Sequence, residues 1–142
     1  MFIRSILCAG ILGTAFIGTV AWSQSKPEAE MNLIMQEMTA LDRAFKTIID
    51  AVVLGDMQPI VPALTVVAEA RERVEKALKE GQQILLPKNQ SQFREFLRLD
   101  EQFHIDLMEL SKAAETGQKK VVRNYAHKLL DSCVVCHEKY RK

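Results

Sequence analysis

Cys133-Val134-Val135-Cys136-His137 sets two thiols three residues apart and an imidazole directly after the second. This is the C-x-x-C-H spacing of covalent haem attachment. On a helix, two thiols one turn apart can each add to a porphyrin vinyl group, while the adjacent imidazole holds the iron as proximal ligand. The other chemistries open to such a pair are poorly served. A thiol–disulfide redox motif belongs in a thioredoxin-like βαβ context, and the chain shows no such alternation. A structural zinc site needs further ligands at finger or ribbon spacing, and no second cysteine pair exists to supply them. A disulfide spanning four residues of a helix is strained and closes too short a loop to stabilise much.

The elements that must carry these residues are helical. With 142 residues, 48% hydrophobic and 26% charged, the chain holds one globular domain, and six Gly with four Pro are too few for a turn-rich β-sandwich. From Glu28 to Leu54 the residues Met31, Ile34, Met38, Leu41, Phe45, Ile48 and Val52 repeat by threes and fours, the stripe of a long amphipathic helix that Gly55-Asp56 ends. Pro59 and Pro62 suit the first turn of a second helix, which carries Leu64, Val67, Val74 and Leu78 and stops at Gly81. Residues 82–90, with Pro87, form the one long connection. A third helix opens near Ser91, carries Phe93, Phe96, Leu97, Phe103, Leu107 and Leu110, and ends at Gly117; a fourth begins at Gln118 and holds Val121, Val122, Tyr125, Leu129, Leu130 and Val134. Four such stripes bury against one another, and short connections make successive helices antiparallel, so the expected fold is an all-α, up-down-up-down four-helix bundle with a covalently bound haem.

The first 23 residues read as an export signal: Arg4, then no charge from Ser5 to Trp22, then Ala21 and Ser23 at cleavage-site spacing. Cleavage is expected after Ser23, with Ala21 as the alternative, leaving residues 24–142 as a periplasmic bundle with no stable membrane insertion. Cys8 falls in the discarded segment. The net charge of +1 gives no reason to expect a nucleic-acid partner. Charge is uneven, however: residues 24–56 carry three bases and six acids, residues 118–142 seven bases and two acids. The charges from Arg71 to Glu80 read as the solvated face of the second helix, with i,i+4 support at Glu72–Lys76 and Glu75–Lys79. No nucleophile–base pair, phosphate loop or paired-carboxylate site marks the chain as an enzyme.

An exported four-helix bundle with one C-x-x-C-H in its last helix resembles the class II c-type cytochromes, the cytochrome c prime family. The run Cys133-Val-Val-Cys136-His137-Glu-Lys-Tyr140-Arg141-Lys142 is similar to that family's C-x-x-C-H-x-x-[FY]-R, and Ala113-Ala114-Glu-Thr-Gly117 to its helix-three exit. The resemblance implies one haem c lying against the last helix, with His137 proximal, the first helix on the distal side, and Tyr140 and Arg141 flanking the proximal side, Arg141 near a propionate. It also implies that the distal position decides function. A ligating Met gives a low-spin electron carrier, whereas an apolar residue leaves a five-coordinate iron open to nitric oxide or carbon monoxide. Met38 lies nearest the centre of the first stripe and is the expected ligand, with Met35 and then Met31 behind it. His104 is an alternative sixth ligand, His127 a weaker one. The expected function is single-electron transfer between redox partner proteins, with the basic C-terminal region docking to an acidic face; homodimerisation through the first two helices is a further implication.

Overall fold

A computed structural model of the protein describes residues 32–141. The expected signal segment with Cys8, and Met31, lie outside the described residues. Within them the chain forms α1 (Leu33–Leu54), α2 (Ile60–Lys79), a 3-10 turn (Gln90–Gln92), α3 (Phe93–Glu115) and α4 (Lys119–Tyr140), and no strand. Each helix matches the expected one to within a few residues. Glycines provide the exits: Gly117 has φ 67°, a conformation that costs little without a Cβ, and the following Gln118 N–H reaches back to the Ala113 carbonyl at 2.8 Å. Asn32 starts α1. Its Oδ1 accepts from the Ile34 N–H at 3.1 Å and its Nδ2 donates to the Leu85 carbonyl at 2.6 Å, tying the first helix to the α2–α3 connection.

Among the described residues α1 packs on α2 and α4, and α3 on α4 and α2, while the backbones of the diagonal pairs make no close approach. With connections of a few residues at 55–59 and 116–118, this is the neighbour pattern of an up-down-up-down bundle. The main core joins Ile48, Ile60, Val67, Leu110, Val122 and Leu129 from all four helices. Leu110 is fully buried there, so Leu110→Ala is expected to destabilise the fold by about 2–5 kcal/mol, read as a lower urea midpoint at unchanged slope.

A second cluster caps the bundle at one end, where Ile34, Val74, Ile84, Leu86, Phe96 and Tyr140 are buried together. Ile84 and Leu86 come from the long connection. The Gln90 side chain holds them in place, donating to the Ile84 carbonyl at 3.1 Å and accepting from the Leu86 N–H at 2.7 Å.

The first helix departs from its expected stripe. Its buried residues are Ile34, Glu37, Ala40, Ala44, Ile48 and Ala51, whereas Met38, Leu41, Phe45 and Val52 are only half-buried. The tight packing thus falls on small side chains, which let neighbouring backbone approach closely. The larger apolar residues border open space.

Candidate functional site

The last turns of α4 present Leu130, Cys133, Cys136, His137 and Tyr140 within an arc of about 120° at 100° per residue. Tyr140 anchors that end. It is buried, its ring meets Phe96 edge-on at 5.3 Å, and its hydroxyl donates to the Gln92 carbonyl at 3.4 Å. The Asn89 side chain also donates to the Lys139 carbonyl at 2.6 Å, so the helix end that bears the motif is fixed to the α2–α3 connection.

Cys133 and Cys136 are half-buried free thiols, and desolvation pushes both above the usual thiol range. The like charge of Cys133 raises Cys136 further, against a smaller lowering by Lys139. Both therefore remain protonated at neutral pH. The His137 imidazole is exposed and makes no hydrogen bond to another described residue.

These side chains face a cleft of about 640 Å³ between α1 and α4, floored by Phe96, Phe103 and Leu107 of α3. Cys133, Cys136, His137, Tyr140 and Arg141 line it from one side; Met35, Met38, Leu41, Phe45 and Ile48 line it from the other. A smaller cavity of about 260 Å³ lies against Cys133 on the α3 side and shares Met38, Leu41, Phe96, Phe103, Cys136 and His137. The cleft falls within the size range of cofactor sites and is mostly apolar, with a few polar groups at its edge. Met38 borders both spaces, while Met35 borders only the larger and is 48% exposed. Arg141 is exposed at the rim.

His104, the alternative ligand, lines neither space. Its Nε2 lies 2.8 Å from Glu37 Oε1 and 3.7 Å from Asp100 Oδ1. Glu37 is fully buried and Asp100 is 7% exposed. Arg71 closes the group by pairing with Asp100, and is itself held by Glu75 at 3.0 Å and Glu101 at 2.9 Å. Arg71 draws the Glu75 carboxyl below its usual range, by a side-chain hydrogen bond above all. Of the presumed solvated charges of α2, Arg71 is thus a correction: its side chain is 14% exposed and crosses to α3. The Glu75–Lys79 pair does form, at 3.6 Å. His127 is exposed on α4.

Sequence reasoning missed this cluster, and with it two carboxyl groups brought together from α1 and α3. The signal present was weak: Glu37 falls on the same face as Ile34 and Ala44, a charge inside an apolar stripe.

The basic C-terminal region is also less concentrated than its numbers imply. Arg123 and His137 are separated by roughly 20 Å of helix at 1.5 Å per residue, with Lys119 and Lys120 farther still. Among the described basic residues of this region, Lys128 borders the smaller space and Arg141 the larger, and Lys128 is paired with Asp106 at 2.7 Å. Among the described residues no helix is long and apolar enough to cross a membrane.

Comparison with protein-family models, characterised proteins and solved structures found no match.

Proposed function

We propose that this protein is an exported monohaem c-type cytochrome that carries single electrons between redox partners and is not itself an enzyme. The observation that carries the reading is one cleft bounded by both thiols and the imidazole of C-x-x-C-H on α4 and by Met38 on α1. A haem bound there supplies a one-electron couple at its iron.

The chain's own residues do the rest. Cys133 and Cys136 would hold the group by thioether bonds, and His137 and Met38 would offer its iron nitrogen and sulfur ligands. Phe45, Phe96, Phe103 and Leu107 would keep water from the group, and a Met ligand together with low polarity would favour the reduced, less charged state. Arg141 at the rim offers a guanidinium to a carboxylate such as a propionate. Met38, Leu41 and Phe45 are half-buried and turn apolar surface to this cleft, where an inserted porphyrin would cover it.

The test is the absorption spectrum of the mature protein produced with haem-attachment machinery, oxidised and reduced, with and without carbon monoxide. A low-spin spectrum that carbon monoxide leaves unchanged is expected. A high-spin spectrum that shifts with carbon monoxide would instead favour the five-coordinate, gas-binding reading.

Docking follows from the charges near the cleft. Stopped-flow electron transfer with an acidic donor protein is expected to slow as ionic strength rises. Lys139→Glu should lower the low-salt rate several-fold, while Lys119→Glu, more than 25 Å away by about 1.5 Å per residue, should change it less than twofold.

A further inference from the structure

We propose that Glu37, Asp100 and His104 form a binding site for one divalent cation of the zinc class, separate from the haem ligands. The three residues offer ligand atoms that all lie within 4.8 Å of one another. Two of the separations are 2.8 Å, Glu37 Oε1 to His104 Nε2, and 3.7 Å, His104 Nε2 to Asp100 Oδ1. Ligand atoms bound at about 2.0–2.2 Å to one zinc stand roughly 3–4 Å apart, so a small adjustment brings the set around a single ion.

An independent feature marks the place. Glu37 Oε2 is buried in a residue completely inaccessible to solvent and, among the described residues, has no hydrogen-bond partner. An unmet carboxyl oxygen at such depth is costly, and a cation held by both oxygens of Glu37 would satisfy it. The Glu37 carboxyl is fixed at the cluster by its other oxygen, so Oε2 necessarily lies there too.

The surroundings are those of a built site. Asp100 turns Oδ2 to Arg71 and leaves Oδ1 toward His104, while Glu75 and Glu101 hold the guanidinium that orients it. Mixed imidazole and carboxylate donors select a borderline ion such as zinc over calcium or magnesium, which take oxygen ligands. The ligands come from α1 and α3, diagonal helices whose backbones make no close approach, so the ion would cross-link the bundle through side chains alone.

The experiment is calorimetric titration of the mature chain with zinc chloride after chelator treatment. The haem-loaded protein is used, or, where no haem is attached, the chain with Cys133 and Cys136 alkylated so that thiols cannot take the metal. The site and the haem assignment therefore stand or fall separately. One zinc per chain is expected. Glu37→Gln and His104→Gln should each weaken it on the order of 100-fold, with the helical fold checked by circular dichroism. In the wild type, zinc should also move the imidazole nitrogen resonances of His104, a readout that needs no variant. Absence of zinc binding overturns the proposal, as does binding that leaves the His104 resonances in place or survives both substitutions at full strength.

Discussion

Met38→Ala should turn a closed haem iron into an open one. The variant is expected to keep its covalent haem, to pass from a low-spin to a high-spin spectrum, and to bind carbon monoxide that the wild type refuses. Its reduction potential should fall by on the order of 100 mV, a fraction of the roughly 0.8 V over which axial ligands move haem potentials. Spectroelectrochemical titration of both proteins provides the measurement. Met38 is chosen over Met35 because it borders both spaces beside the motif, whereas Met35 stands 48% exposed at the edge of one. A Met38→Ala protein that remains low-spin, with the change appearing in Met35→Ala instead, would move the ligand one turn along α1. No change in either variant would leave Met31 as the remaining methionine of the first-helix stripe to test.

Replacing Cys133 and Cys136 together by alanine separates attachment from ligation. The double variant should lose all covalently bound haem, so that acidified organic solvent extracts the pigment completely and a denaturing gel shows none on the polypeptide. Folding should persist. The two thiols are only half-buried and take no part in the main core, and Leu110, Leu129 and Val122 keep their neighbours. Any haem the variant holds is retained by His137 and Met38 alone, and its release rate should rise by several orders of magnitude, since two covalent bonds are replaced by reversible ligation. Haem that still resists extraction from the double variant would contradict the assignment of the motif.

The four helices and their ends could be read from the sequence because their causes are local. Gly55, Gly81 and Gly117 sit at helix exits with φ of 72°, 77° and 67°, and the spacing of Leu64, Val67 and Val74 marks the face that α2 buries. The grouping of Cys133, Cys136 and His137 on one side of α4 was legible for the same reason, all three lying within five consecutive residues.

Less legible was the packing that neighbours distant in the chain impose. Hydrophobic periodicity scores Met38, Leu41 and Phe45 above Ala40, Ala44 and Ala51, yet the alanines are buried and the larger residues border a cleft. Periodicity reports which face is apolar and does not report whether protein fills the space opposite. Ile84 and Leu86 lie in a connection with no periodicity to mark a face, although an Ile-Leu-Leu run in a connection is itself a sign of burial. Arg71 and Asp100 look like ordinary charges on a wet helix face and Glu37 like a lone charge inside an apolar stripe; only the crossing of α1, α2 and α3 brings them and His104 within bonding distance. The net charge of residues 118–142 was counted correctly, but a straight helix spreads it over some 30 Å at about 1.5 Å per residue.

The central claim is that this chain carries one haem bound covalently through Cys133 and Cys136. Its most direct test is the intact mass of the mature protein, made alongside haem-attachment machinery, denatured and stripped with acidified solvent. The account predicts a single species heavier than the polypeptide by one haem, with a tryptic fragment bearing that added mass on the segment that contains both cysteines. A mass equal to the bare polypeptide, with both thiols free to alkylate, would contradict it.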